Sequence, residues 1–370
     1  MTDGIRWMSL GPGCGYGNAG DAYRAGLRAA GIPVSWTPLG WPSRPWQAAF
    51  GPLDTRVGEH DTVVVQSSPW WHERLAAESS GRLLVAYTTW ETDRLPAESV
   101  AILNRYDRVL VPSRFNAEVF TSSGVTVPIR VVPHIAPEAR IGEGGPASGD
   151  TRFVFYLIAS WTSRKAILDA VAAFLSAFAA RDDVVLVIHT TPEDLVARAR
   201  GGAGRAAAAS LSLAQALAGR RNVPEIVLST RSLPPGEVDR LHLRGDCFVC
   251  LSRGEGWGLG AFEAAAFGNP AIVTGWSATR EFWPEGYPYL VDYDLIPTTD
   301  DRPDLWWQPR PGERWAKARV AHAAALLRHV YDHREEARAW GAKARSHVLE
   351  NYRSATITGR LLQALGPSAG

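Results

Sequence analysis

The sequence predicts an α/β protein with two domains of similar size. Apolar runs without polar alternation, such as Thr62–Gln66 and Phe153–Ile158, recur in both halves, and such runs are typical of parallel strands covered on both faces. Residues 141–150 read IGEGGPASGD, a composition that is typical of a linker. A chain of 370 residues is also long enough for two domains. We therefore expect one domain over residues 1–145 and another over 146–349, with a ligand cleft between them.

The elements of the first half alternate between strand and helix. The chain opens with an apolar run at 5–10, a glycine-rich turn at 11–17 and a helical segment at 21–30. Further strands are expected at 34–38, 62–66, 83–87, 108–112 and 129–133, with a helix at 116–123 before the last of them. Strands that alternate with helices favour an α/β fold.

The second half repeats the alternation. Strands are expected at 153–158, 184–189, 225–229, 247–251 and 271–274, and helices at 165–180 and 259–267. From about residue 316 to the end the sequence predicts helix, because Val320, Ala324, Leu327 and Val330 fall on one face. Ligands bind beyond the carboxyl ends of the strands in such sheets, so a site is expected in the loops that follow strands.

Composition argues against several classes of function. Thirty-nine basic and 38 acidic residues give a formal charge of +1, which argues against a nucleic-acid-binding surface or a polybasic membrane patch. Three cysteines do not support a disulfide-rich secreted scaffold. The sequence contains no apolar run of about 18 residues, so no membrane span is expected. The start MTDGIRWMSL lacks the features of a signal peptide. We expect a cytoplasmic protein, and the preference for arginine over lysine suggests the GC-rich coding of a bacterium.

The most informative stretch follows the strand at 247–251 and opens the helix at 259–267. It contains three closely spaced glycines, Gly254, Gly256 and Gly258, which allow backbone N–H groups to approach an anion closely. The helix points its positive end at the same place. Strand, glycine loop and helix together predict a phosphate-binding site.

Two carboxylates accompany this loop. Glu255 lies in the loop, and Glu263 lies about one turn into the helix. Carboxylates repel phosphate but accept hydrogen bonds from hydroxyl groups. We therefore expect them to bind the hydroxyls of a sugar or a ribose rather than a diphosphate.

The stretch SRGEGWGLGAFEAAAFGNPAIVT at 252–274, with its E-x7-E spacing, resembles the signature of retaining family-4 glycosyltransferases with the GT-B fold (glycosyl transferases group 1). Segments FYLIASWTSRK, VLVPSRF, VVPH and WETDRLP resemble other parts of that family, so the resemblance covers most of the chain. It implies two Rossmann-like α/β domains that face each other across a cleft. The first would bind the acceptor and the second the nucleotide sugar, and the last helix, over 350–370, would pack back on the first domain.

The resemblance also implies roles for single residues near the sugar and the diphosphate. Glu255 would contact hydroxyls of the donor sugar, and Lys165, one of only three lysines in the chain, would bind the diphosphate. Members of the family often carry an arginine five residues before that lysine, where this chain has Ser160. The nearest arginine, Arg164, is the candidate for the second phosphate contact.

The remaining candidates follow from the same resemblance. Glu263 would bind the ribose, and the backbone of the loop would hold the distal phosphate and the sugar. The donor-binding set is Gly256, Trp257, Gly258, Leu259 and Glu263, with Arg231 and Leu233 near the base. The acceptor or cleft candidates are Gly15, Gly17, Glu91 and His134.

The implied reaction moves a hexose-type sugar from a nucleoside-diphosphate sugar to a hydroxyl-bearing acceptor with retention at the anomeric carbon. The acceptor would be a saccharide, a lipid or a natural product. No protein nucleophile can be placed, which fits attack by the acceptor hydroxyl on the same face as the leaving group. Fixed donors would stabilise the leaving diphosphate. No cofactor and no metal ion are expected.

Several patterns admit other interpretations. The glycines at 13, 15 and 17 could form a dinucleotide-binding turn, but no partner acid follows the strand at 34–38. Cys247 and Cys250 form a C-x-x-C without a second pair, so buried cysteines are favoured over zinc. The D-x-D at 292–294 is interpreted as structural rather than as a metal site. Tryptophans at 41, 46, 70 and 71 could form a sugar platform or pack loops.

Two rival functions stay open at this stage. A nucleotide-sugar epimerase or a sugar phosphorylase could share the fold, although no acid–base pair for an epimerase can be placed. A two-lobed sugar-binding protein without activity is the second rival. Such a protein would not need a diphosphate cradle.

Overall fold

The computed structural model describes residues 4–11, 13–39, 62–69, 72, 83–140, 152–190, 205–298 and 312–366. The chain divides into two compact units. The first unit comprises residues 1–136 and 351–370, and the second comprises residues 137–350. The division follows Ala136, whereas the boundary expected from the sequence, after residue 145, lies outside the described residues.

Within the described residues the main elements are fourteen strands and ten α-helices. The strands are β1 (Ile5–Ser9), β2 (Val34–Pro38), β3 (Thr62–Gln66), β4 (Leu83–Tyr87), β5 (Arg108–Val111), β6 (Ile129–Val131), β7 (Phe153–Ile158), β8 (Val184–His189), β9 (Glu225–Ser229), β10 (Cys247–Cys250), β11 (Ala271–Thr274), β12 (Leu290–Val291), β13 (Tyr293–Pro297) and β14 (Arg314–Ala318). The helices are α1 (Gly15–Ala29), α2 (Ala97–Leu103), α3 (Arg114–Ser123), α4 (Ile167–Ala177), α5 (Arg205–Leu217), α6 (Pro235–Arg244), α7 (Leu259–Phe267), α8 (Val320–Asp332), α9 (Arg334–Asn351) and α10 (Ser354–Leu365).

The first unit is built on a six-stranded parallel sheet in the order β2-β1-β3-β4-β5-β6. Every residue of the central strand β3 is buried, as expected for a strand covered on both faces. Helix α10 packs on α1, and Gly26 makes this approach possible. A Cβ at Gly26 would lie 2.3 Å from the Thr358 hydroxyl oxygen. The C-terminal helix therefore belongs to the first unit.

Helix α1 begins at Gly15, six residues before the expected start at residue 21. The Cys14 thiol caps the helix, because its sulfur accepts a hydrogen bond from the Gly17 N–H at 3.4 Å. Glycines are poor helix formers, which is why the sequence pattern placed them in a loop. The cap and the burial of Ala19 and Tyr23 against the sheet outweigh that preference.

The second unit is built on a second six-stranded parallel sheet in the order β12-β11-β10-β7-β8-β9. The expected helix at 165–180 is shorter, since α4 covers only Ile167–Ala177. A short 3₁₀ helix, Ser163–Lys165, precedes it, and Ala166 takes a left-handed conformation with φ of 46°. Lys165 therefore lies in the turn that follows β7, at the carboxyl end of the strand.

The expectation of continuous helix from residue 316 is wrong for its first residues. Strand β14 pairs with β13 in antiparallel register, with Ala316 opposite Leu295, and helix begins only at Val320. The pairing buries Trp315 completely, which explains the preference for strand. On β13, Asp294 pairs with Arg319 at 2.8 Å, so the D-x-D segment forms part of this antiparallel pair.

No helix within the described residues is long and apolar enough to cross a membrane.

Candidate functional site: a glycine loop, two cations and two carboxylates

The site forms where β10 ends and α7 begins, at the carboxyl edge of the second sheet. Gly258 caps α7 in a left-handed conformation with φ of 90°. A Cβ at Gly258 would lie 2.8 Å from the Thr279 methyl carbon, and one at Gly260 would lie 2.9 Å from the Phe248 ring. The two glycines thus allow the loop to turn sharply and α7 to approach the sheet. The first N–H groups of the helix have no partner within the helix and carry its positive dipole end.

Glu255 is bound by two cations from the turn after β7. Lys165 Nζ donates a hydrogen bond to Glu255 Oε1, and Arg164 Nη1 lies 3.2 Å from Oε2. The same Arg164 nitrogen donates to the Gly254 carbonyl at 2.6 Å. The structure therefore brings together Glu255, Lys165 and Arg164, the three residues expected to act on the donor, although Glu255 lies 90 residues after Lys165 and 91 after Arg164 in the chain.

The charge of Glu255 is set by these neighbours. Burial raises the pKa of its carboxyl, but Lys165 and Arg164 lower it more, so that the pKa falls to about 2. Glu255 is therefore ionised at neutral pH. With two cations and one carboxylate, the cluster keeps an excess of one positive charge beside the N-terminus of α7. Such a place favours an anion.

Glu263 lies one turn into α7 and also has cationic and polar neighbours. Arg140 Nη1 donates to Glu263 Oε1 at 2.6 Å, while its Nε donates to Asp239 at 3.0 Å. His242 Nε2 lies 3.6 Å from the other oxygen, Oε2. Burial raises the pKa of Glu263, but His242 and Arg140 lower it by more than burial raises it. The net pKa of Glu263 is therefore below its ordinary value. Glu263 belongs to the E-x7-E motif, whereas Arg140, His242 and Asp239 come from segments whose sequences carry no signal of the site.

The other donor-site candidates lie around this loop. Gly256 and Trp257 are both buried in it. The Trp257 ring is buried and packs 5.3 Å from the Phe262 ring, measured between ring centroids. Leu259 is the first residue of α7 and is half-buried.

Arg231 and Leu233 lie in the loop between β9 and α6. Arg231 is exposed, and Leu233 is half-buried. Burial and the charge of Arg231 lower the pKa of His189, the last residue of β8. The structure thus places this loop at the carboxyl edge of the sheet, beside the end of β8, as expected from the chain order.

Three of the four candidates in the first unit lie together. Gly15 and Gly17 fall in the first turn of α1, and Tyr16 between them is bonded to Thr89 in the loop after β4, with 2.7 Å between the hydroxyl oxygens. Burial raises the pKa of Tyr16, and the charge of Glu91 raises it further, because Glu91 lies nearby in the same loop. Gly17 does not offer a free N–H, since its proton is bound by the cap described above.

His134 is buried in the first unit, only 7% exposed. Its Nδ1 lies 3.0 Å from the Tyr23 hydroxyl and 3.2 Å from the Tyr87 hydroxyl. Burial lowers the pKa of His134 to about 3, so the ring is neutral at physiological pH. This placement makes His134 part of a buried polar cluster with two tyrosines.

The two cysteines of the C-x-x-C pattern do not form a pair in β10. Residues three apart on a strand point to opposite faces, and burial raises the pKa of Cys247 and, to about 11, that of Cys250. In the part of the chain that the structure describes, no cluster of His, Cys, Asp and Glu could hold a metal ion. The tryptophans at 41, 46, 70 and 71 lie outside the described residues.

Comparison with known proteins relates this site to one family. Residues 150–291, which include β7 to β12, match the family described as glycosyl transferases group 1. No curated protein matches the chain in sequence.

Several solved structures share the fold of this chain. Sucrose-phosphate synthase from Thermosynechococcus elongatus superimposes with a TM-score of 0.70 and 14% identity over 98% of each chain. HepE from Anabaena, solved with UDP and glucose, has a TM-score of 0.68 and 12% identity over 98% of each chain. TarM from S. aureus has a TM-score of 0.60 and 12% identity over 82% of the present chain, which spans only 55% of TarM.

At such low identity the solved structures show the fold alone, whereas the family match is one of sequence. The two agree with each other and with the two parallel sheets. The resemblance of the E-x7-E stretch to glycosyl transferases group 1 is therefore confirmed for residues 150–291. The chain has the two-domain GT-B fold of these structures, and residues 150–291 match the glycosyl transferases group 1 family in sequence.

Proposed function

We propose that the protein is a retaining glycosyltransferase that transfers a hexose-type sugar from a nucleoside-diphosphate sugar to the hydroxyl of a saccharide, lipid or natural product. The observation that carries the proposal is the cluster of Lys165, Arg164 and Glu255 at the N-terminus of α7. We further propose that residues 137–350 bind the donor and the first unit binds the acceptor. The protein would act in the cytoplasm without a metal ion or cofactor.

The leaving diphosphate is the group that the cluster would stabilise. Negative charge grows on the leaving phosphate as the glycosidic bond breaks, and donors fixed in advance lower the barrier because they need no reorganisation. Lys165, Arg164 and the first N–H groups of α7 are such donors. The diphosphate would compete with Glu255 for the two cations.

Glu255 would then accept hydrogen bonds from hydroxyls of the donor sugar. The exchange of partners explains how one site accommodates a carboxylate and a diphosphate. Lys165 and Arg164 hold the pKa of Glu255 at about 2. The carboxylate would therefore stay ionised while it shares these two cations with the diphosphate. The acceptor hydroxyl would attack from the face of the leaving group and pass its proton to the leaving phosphate.

Glu263 would bind the ribose, and the loop with Arg231 and Leu233 would lie near the base. The relatives support a first choice of donor, because HepE is described in complex with UDP-glucose and TarM with UDP and α-GlcNAc-glycerol. UDP-glucose and UDP-GlcNAc are therefore the first donors to test.

The experiment follows the donor by NMR in the absence and presence of simple acceptors. A retaining transferase releases UDP and forms the α-anomer first, either as free sugar or as glycoside. The variant Glu255→Gln serves as the matched control and should release far less UDP. Initial formation of the β-anomer would refute retention, and formation of an epimerised UDP-sugar would support the rival epimerase instead.

A further inference from the structure

Behind Glu263 lies a buried chain of polar side chains that the donor-site roles above do not use. Asn269 Nδ2 donates to the Tyr156 hydroxyl at 2.7 Å and to the His242 carbonyl at 2.6 Å. The Tyr156 oxygen lies 2.9 Å from His242 Nδ1. His242 Nε2 in turn faces Glu263 Oε2 at 3.6 Å. The chain thus runs from the end of α7, through β7 and α6, back to the carboxylate.

The contacts favour one placement of the protons, in which every buried hydrogen of Asn269 and Tyr156 has an acceptor. The His242 carbonyl can only accept, so the Asn269 atom beside it is the amide nitrogen, and that nitrogen also donates to Tyr156. The hydroxyl proton of Tyr156 is then free to be donated to His242 Nδ1. A neutral imidazole that accepts at Nδ1 carries its proton at Nε2. That N–H points toward the carboxylate of Glu263.

The His242 ring is held in a place that leaves Nε2 few possible hydrogen-bond partners besides Glu263. Its side chain is fully buried, stacked on Phe267 at 5.1 Å between ring centroids. Among the described residues, Nε2 has no hydrogen-bond partner, because 3.6 Å exceeds the length of a hydrogen bond. A buried N–H without a partner is costly, so a small movement of Glu263 toward His242 is favoured.

We propose that His242 is a positioning residue for the ribose-binding carboxylate, delivering an N–H to Glu263 Oε2 while Tyr156 and Asn269 fix its tautomer. The inference rests on the proposed function, since it assumes that Glu263 binds ribose. Without nucleotide, Arg140 holds Glu263 Oε1. With nucleotide, a ribose hydroxyl takes Oε1, and the His242 N–H holds Oε2 and so fixes the plane of the carboxylate.

The test measures how strongly each variant distinguishes UDP from 2′,3′-dideoxy-UDP, which lacks both ribose hydroxyls. The wild-type protein is expected to prefer UDP by about tenfold or more, since a hydrogen bond to a charged group is involved. His242→Phe keeps an aromatic ring against Phe267 but removes the donor, and it should lose most of that preference. Binding of dideoxy-UDP itself should be unchanged.

Two further variants separate positioning from mere packing. His242→Gln places an amide N–H near the position of Nε2 and should recover much of the preference. Tyr156→Phe keeps the ring but removes the hydroxyl that fixes the tautomer, and it should lose part of the preference. Thermal unfolding of each variant verifies that the protein is folded at the temperature of the binding measurement.

The outcomes distinguish this inference from the proposed function. If wild-type protein binds UDP and dideoxy-UDP equally, the ribose role of Glu263 is overturned. If it binds neither of them and no other nucleoside diphosphate, the proposed function itself is overturned. If wild-type protein prefers UDP and folded His242→Phe retains the full preference, only the role of His242 is overturned. Equal weakening of both ligands by His242→Phe would also overturn it, because a packing defect acts on the whole site.

Discussion

Replacement of Lys165 by methionine is the most direct perturbation of the proposed phosphate site. The substitution keeps the apolar part of the side chain and removes the ammonium group that contacts Glu255 Oε1. Lys165 is about four-fifths buried, and Glu255 more so. Solvent therefore screens the contact only partly, and the loss of the charge should be measurable.

The expected magnitude follows from the exchange of partners. A hydrogen bond between a charged group and a phosphate contributes about 1.5–3 kcal/mol net, and Lys165 must give up part of its contact with Glu255 to make it. We therefore expect Lys165→Met to weaken UDP binding by roughly 10- to 100-fold. Uridine has no phosphate, so its affinity should change less than about twofold. The difference between the two ligands isolates the phosphate contact.

Titration calorimetry with UDP and with uridine is the assay. Lys343→Met is the matched control, because it also removes one lysine charge but from a side chain that lies over the Trp340 ring in α9. It should leave both affinities unchanged. Equal weakening of UDP and uridine by Lys165→Met, or no weakening of either, would refute the assignment of Lys165 to the diphosphate.

Three further predictions concern single contacts of the site. Glu255 has a folded-state pKa of about 2 against an ordinary value of 4.5, so its ionised form should stabilise the fold by about 3 kcal/mol above pH 4.5. This contribution is lost as the pH falls toward 2. In urea unfolding, the difference in free energy of unfolding between the wild-type protein and Glu255→Gln should therefore shrink at low pH, and a difference that stays constant would contradict the prediction. Gly258→Ala should lower the free energy of unfolding by about 1–2 kcal/mol or more, because φ is +90° and the new Cβ would clash with Thr279. Gly236 has open space around it, so Gly236→Ala should change the free energy of unfolding little in the same measurement. Arg140→Met should leave Glu263 Oε1 open and tighten uridine binding by roughly two- to tenfold in calorimetry; weaker binding would show that Arg140 itself helps to hold the nucleoside.

The strands could be predicted closely, because their sequences carry strong local signals. Strands β3, β4, β7, β8, β9 and β11 have the expected bounds. The continuous apolar run Val63–Val65 of β3, for example, is satisfied by burial on both faces of the sheet. Helix α7 also has the expected bounds, since a glycine stands at each end of it, Gly258 and Gly268.

Other elements could not be predicted, because partners distant in the sequence decide them. The residues Arg314–Ala318 are compatible with helix, and only pairing with β13 and the burial of Trp315 make them a strand. Likewise, nothing in the local pattern shows that Ala166 takes a left-handed conformation. That turn decides that Lys165 lies at the end of β7 rather than inside a helix.

The residues of the candidate site that belong to a sequence motif could be predicted, whereas those that other segments contribute could not. The glycine loop, Glu255 and Glu263 occur in one short stretch with recognisable spacing. Arg140 and His242 come from other segments, and an arginine or a histidine alone carries no signal. Only the contacts of Glu263 with them, at 2.6 and 3.6 Å, show their relation to the site.

The nucleotide-binding role of the loop before α7 is tested best by thermal unfolding of the protein in the presence of UDP, GDP, ADP or dTDP. A ligand at about 100 times its dissociation constant stabilises a protein by about 2.7 kcal/mol, which shifts the unfolding temperature visibly. We predict that one of these diphosphates stabilises the protein and that Lys165→Met, which weakens binding roughly 10- to 100-fold, removes about half of the shift or more. If none of the four diphosphates shifts the unfolding temperature, the loop at the N-terminus of α7 is not a nucleotide-binding site and the proposed function is contradicted.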